Sequence, residues 1–117
     1  MRVTGSSADG AIDVTTSQFR VECLTGSSGT FVGVTGVTTV NGVRAREIVS
    51  IGVSSLQFAD EPVQGTAHFY IAQGNVGTTV SPTGGHVNGD AAEQVAAGAA
   101  PHKIHVQGDA TCGSTGA

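Results

Sequence analysis

Apolar and polar residues alternate most regularly from Phe31 to Val53: F-V-G-V-T-G-V-T-T-V, then Asn41-Gly42, then V-R-A-R-E-I-V-S-I-G-V. A period of two puts successive side chains on opposite faces of a strand. Asn-Gly between two β-branched runs signals a hairpin, because a two-residue type I′ turn requires φ > 0 at both central positions. A turn there pairs Val40 with Val43, Thr38 with Ala45, Gly36 with Glu47, Val34 with Val49 and Val32 with Ile51. One face then reads Val32, Val34, Val40, Val43, Ala45, Val49, Ile51, and the other Thr35, Val37, Thr39, Arg44, Arg46, Ile48, Ser50. A slip of one residue would turn the valines to water, so pattern and turn specify one register. The misfit is Glu47, on the apolar face opposite Gly36. Glycine inside a strand often marks a bulge, and one extra residue there is expected to turn Glu47 outward.

The remaining chain reads as shorter strands. Residues 1–10 (M-R-V-T-G-S-S-A-D-G) read as a polar, glycine-rich arm. Ala11 to Thr15 suggests a short strand, and Gln18 to Leu24 alternates with Phe19, Val21 and Cys23 on one face. Thr25 to Gly29 reads as a turn. Val53 to Phe58 extends the second arm of the hairpin, and Ala59-Asp60-Glu61-Pro62 ends it, since Pro62 lacks an N–H for a ladder. Thr66 to Gln73 is a strand with His68, Tyr70 and Ala72 facing one way. Gly74 to Gly89 reads as loop, with a short strand at 76–80 and a turn at 82–85. Asp90 and Glu93 have the spacing of a capping box, which predicts a two-turn helix over Ala91–Ala97 ended by Gly98. His102 to Thr111 is the last strand, with Ile104, Val106, Ala110 and Cys112 on one face. The expected fold is all-β, an antiparallel β-sandwich or small barrel of about seven or eight short strands with one short helix near 90–98. Its expected parts are an arm (1–10), a single β-domain (11–112) and a tail (113–117).

Composition narrows this picture. The 117 residues suit one domain, and with 12% charged residues and regular strand patterning the chain is not a disordered one. With no Trp, one Tyr, four Phe and 18 Gly, the core is built mainly of Val, Ile and Ala. Small side chains bury less area each, so a covalent clasp or contacts with other subunits are expected to add stability. The net charge is −4 and the five basic residues are scattered, which argues against nucleic acid as a partner. No apolar run approaches a membrane span, no basic leader precedes an apolar stretch, and no Asn-x-Ser/Thr site occurs.

Candidate chemistry is sparse. Cys23 and Cys112 lie on the apolar sides of their strands, either as buried thiols or as a disulfide closing a loop of about ninety residues. His102 and His105, three apart on a strand, point to opposite faces and do not share an ion. His68 and His86 lie on other elements, where convergence with His105 would be needed for a zinc or copper site. Asp60-Glu61 reads as a turn and Asp90 and Glu93 as caps, so no carboxylate pair spans a cleft. No nucleophile elbow or phosphate loop follows a strand. The expectation is therefore no catalytic residues, no cofactor and no metal. Arg44 and Arg46 share the polar face of the hairpin, with Arg20 on a neighbouring strand, as candidates for pairing with a partner's carboxylates.

Two resemblances frame the function. The Gly, Thr, Val and Ala-rich, weakly charged texture resembles small bacteriophage virion proteins such as capsid-decoration or tail components. Ile12-Asp13, Val21, Cys23, Thr25, Gly29 and Cys112 resemble the cysteine-bearing strands of mycobacterial envelope lipoprotein antigens. The first implies a non-enzymatic structural protein of the virion, with arm and tail lacing onto copies of itself or a larger protein lattice. The second implies a secreted or envelope binding module clasped by Cys23–Cys112, with a ligand held in loops 25–29, 59–65 or 74–89.

Overall fold

The computed structural model describes residues 1–7, 10–15, 17–27, 29–40, 43–63, 67–74, 76–95 and 98–115, with backbone alone at residues 10, 14, 17, 18, 38–40, 43 and 44. Ten strands follow in order: β1 (Arg2–Ser7), β2 (Gly10–Thr15), β3 (Ser17–Gly26), β4 (Gly29–Val40), β5 (Val43–Ile51), β6 (Ser55–Pro62), β7 (His68–Gln73), β8 (Thr78–Ser81), β9 (Gly84–Glu93) and β10 (Lys103–Thr111). They form one antiparallel sheet in the order β2-β1-β10-β9-β7-β6-β5-β4-β3, with β8 paired to β9. The sheet folds over on itself, so that β4 packs against β2 and β8, and β5 against β8 and β9. The thin dimension of the molecule, 20 Å, is that of two layers spaced roughly 10 Å apart with their outward side chains. The all-β antiparallel fold, sandwich or small barrel, expected from the alternation is the observed one, with ten strands among the described residues in place of the expected seven or eight.

Between the layers lie Val32, Val34, Val49, Ile51, Leu56, Phe58 and Tyr70, facing Val3, Ile12, Val87, Ala91, Ile104 and Val106, all buried. Phe58 and Tyr70 are cross-strand partners with ring centroids 5.7 Å apart, and the Tyr70 hydroxyl donates to the Ser6 carbonyl at 2.9 Å. That bond satisfies the single polar atom of a buried ring and ties β7 to β1. The central hairpin has the register that its alternation specifies, from Val40↔Val43 to Val32↔Ile51. The Asn41-Gly42 turn itself lies outside the described residues.

Four expectations need correction. Residues 2–7 are not an arm: β1 lies inside the sheet, bonded to β2 on one side and β10 on the other, with Val3 fully buried. Its glycine permits this, because Gly5 (φ +147°) lies so close to the Lys103 carbonyl that a Cβ would overlap it. The tail is likewise held by its own chain, since Val21 N–H donates to Ser114 O (3.0 Å) and Gly113 N–H to Val21 O (2.9 Å). There is no helix among the described residues. Asp90–Glu93 ends β9, with Asp90 opposite His105, Ala91 opposite Ile104, and Glu93 N–H donating to His102 O at 2.8 Å. A ladder bond and the burial of Ala91 outweigh a two-turn helix, whose nucleation is costly. Finally, the second hairpin arm stops at Ile51. Gly52 N–H donates to Ser55 O at 2.9 Å, the chain reverses, and β6 runs back along β5 through Pro62.

Candidate functional site

The inward positions of β5 are Ala45, Glu47, Val49 and Ile51; those of β6 are Leu56, Phe58 and Asp60; those of β7 are His68 and Tyr70. Ladder register sets Gly36, Glu47, Asp60 and His68 side by side across β4, β5, β6 and β7. The β4–β5 pairing has no shift, so Glu47 is not turned out by a bulge; the irregularity falls in β3, between Ser17 and Arg20. Glu47 is 0% exposed, Asp60 7% and His68 8%. Gly36, also buried, leaves its neighbour without an opposing side chain. Glycine here makes room for the carboxyl where a bulge was expected to remove it.

The row continues toward the surface. His68 Nδ1 lies 3.3 Å from Glu93 Oε2, and His102 Nδ1 lies 3.2 Å from Glu93 Oε1. One carboxylate on β9 thus holds two imidazoles, one buried and one with its side chain 39% exposed. The path Glu47, Asp60, His68, Glu93, His102 crosses four strands and ends just ahead of β10.

Electrostatics along the path run in opposite directions. Burial, then the neighbouring Asp60 charge, then hydrogen bonding with Asp60, push the Glu47 carboxyl up to about 8. Burial also opposes ionisation of Glu93, yet hydrogen bonds and positive charge from His102 and His68 prevail and hold it below its usual range. At neutral pH the inner acid is therefore protonated and the outer one ionised. An acid that is neutral at pH 7 can donate a hydrogen bond or release a proton. Neither of two surface concavities, of about 270 and 430 Å³, is lined by these residues. Among the described residues no group of three or more His, Cys, Asp and Glu side chains is arranged to hold a metal ion.

The other candidates are dispersed. Cys23 and Cys112 form a disulfide (S–S 2.00 Å) across a sequence separation of 89. Arg46 pairs with Glu61 across β5 and β6 (Nη2–Oε1 2.8 Å) and Arg20 with Glu22 (3.1 Å), so both guanidinium groups have carboxylates of their own chain. Of Arg44 only the backbone is described, opposite Thr39. His105 pairs with Asp90 and His86 with Asp109, each at 2.7 Å, on cross-strand positions of β9 and β10. His68 thus meets His102 through Glu93, and neither His68 nor His86 joins His105. In the sequence Asp60 reads as part of a turn and Glu93 as a helix cap, which hides both from the row; the alternation of β7, which puts His68 beside Tyr70, is the signal for an inward polar row.

The chain matches no protein-family model, and neither curated proteins nor solved structures yield a match.

Proposed function

We propose that this chain is an exported, non-enzymatic β-sandwich module that binds a partner outside the cell or at its envelope. The observation that carries this reading is the Cys23–Cys112 disulfide, which joins β3 to the end of β10 across nearly the whole chain. Such bonds persist in oxidising compartments, where small domains with modest cores depend on them. The pairing of residues 2–7 within the sheet and of residues 113–114 with Val21 supports it as well, because these segments bond to their own chain. At one end of the sandwich the start of β4 lies beside the Gly52–Ser54 turn, and Gly74 N–H donates to Ser54 O at 2.9 Å. Leu24 and Phe31 are cross-strand partners there, Phe31 lies over Gly52, and Val53 follows. These three large apolar side chains are exposed (72%, 43% and 66%) and give that end the character of a protein-binding surface.

Thiol labelling with mass measurement on natively isolated protein tests the export reading. A mass lower by two hydrogens and no labelled cysteine are expected, and two free thiols overturn it. A second reading is a structural subunit of a larger assembly such as a virion, favoured by the same apolar cluster, which copies would bury against one another. The native particle mass separates the two, with a monomer expected for the module and a multimer for the subunit.

A further inference from the structure

Glu47 lies at the inner end of a polar path whose outer end reaches solvent. Among the described residues, its neighbours along the sheet are Gly36 on β4, which has no side chain, Asp60 on β6 and, beyond that, His68 on β7. Glu93 on β9 and His102 follow. The described arginines are engaged elsewhere, Arg2 with Asp13, Arg20 with Glu22 and Arg46 with Glu61. Both Glu47 carboxyl oxygens are buried, and the polar group beside them is another carboxyl, that of Asp60. An ionised carboxylate in that position would have lost its water and gained no cation, next to a second carboxylate. A proton on Glu47 removes the charge and supplies a hydroxyl donor toward Asp60. His68, Glu93 and His102 then alternate imidazole and carboxylate, the order through which protons pass by short hydrogen-bond steps.

We propose that Glu47 and Asp60 hold one proton between them in the folded chain and exchange it with solvent along His68, Glu93 and His102. The seam between β5 and β6 at Glu47 stays dry while the proton is bound and takes up water when it is lost. On loss, the proton leaves through His102 to solvent. Two facing carboxylates remain on β5 and β6, and hydrating them requires these strands to part near Glu47.

Infrared spectroscopy of the unmodified protein, disulfide intact, reads the proton directly. The carbonyl band of a neutral carboxylic acid is expected to persist at neutral pH, after exposed carboxyls have lost theirs. It should disappear by about pH 9 to 10 and be missing from Glu47→Gln. In denaturant titrations the unfolding constant of the wild type should rise close to tenfold per pH unit between about pH 5 and 8, with the slope about one proton smaller in Glu47→Gln. No such band at neutral pH, or equal slopes in the two proteins, overturns the shared proton. If Glu47→Gln does not fold, Asp60→Asn carries the comparison, and the band is read on the wild type in any case. His102→Gln should keep the band and slow its loss after a jump to alkaline pH several-fold; an unchanged rate overturns the relay.

Discussion

Glu47 shows what one residue imposes on a small apolar core. Its folded-state acidity is weakened, so it contributes stability fully below the ordinary carboxylate value of 4.5 and loses it as pH rises toward about 8. Glu93, strengthened as an acid by its two imidazoles, contributes above the ordinary range and loses its share as pH falls through its depressed value. Thermal melts across pH should therefore trace a dome with its maximum in mild acid. Glu93→Gln is expected to flatten the acid limb and leave the alkaline limb unchanged. Tyr70→Phe removes the bond to Ser6 O and should cost about 1 to 2 kcal/mol in denaturant unfolding. At this scale the hairpin register aims Glu47 inward, while the sequence points to a bulge at Gly36, since a glycine that makes room and one that kinks a strand look alike in sequence.

At the scale of elements, alternation was a sound guide wherever one face meets a core. It located β3, β4, β5, β7 and β10 and the cross-strand partners of the central hairpin. It failed where a polar sequence is paired on both sides. R-V-T-G-S-S carries one large apolar residue, Val3, and its place in the sheet comes from backbone bonds to β2 and β10, which have no side-chain signature. The same holds for Asp90–Glu93, where local capping spacing competes with a ladder formed to a strand that begins ten residues later. The structure accordingly predicts that Gly5→Ala destabilises by about 2 kcal/mol or more, as the new Cβ drives β1 away from the Lys103 carbonyl. Removing residues 1–7 should abolish cooperative unfolding altogether, measured by near-ultraviolet circular dichroism during melting, because β2 and β10 each lose a paired edge.

For the molecule as a whole, low aromatic content foretold a core in need of reinforcement, and the Cys23–Cys112 bond provides it. Reduction, or the double variant Cys23→Ser/Cys112→Ser, should lower stability by about 4 to 5 kcal/mol in the chain-entropy picture, read as a shift of the denaturant midpoint. The bond's location was legible only as an option, since two cysteines state neither their distance nor their compartment. The row from Glu47 to His102 was not legible as a unit, because its members come from five stretches of chain that only the sheet order brings together.

The clasp also governs how the domain responds to mechanical load. A force applied at the two ends of the chain reaches Cys23 and Cys112 and passes directly between them, so only residues 1–22 and 113–117 can be drawn out. The enclosed segment, with a separation of 89 residues, would otherwise lengthen by roughly 300 Å. Stretched between a surface and a bound partner, the oxidised protein behaves as a short, nearly inextensible link, and a reductant turns it into a long, compliant one.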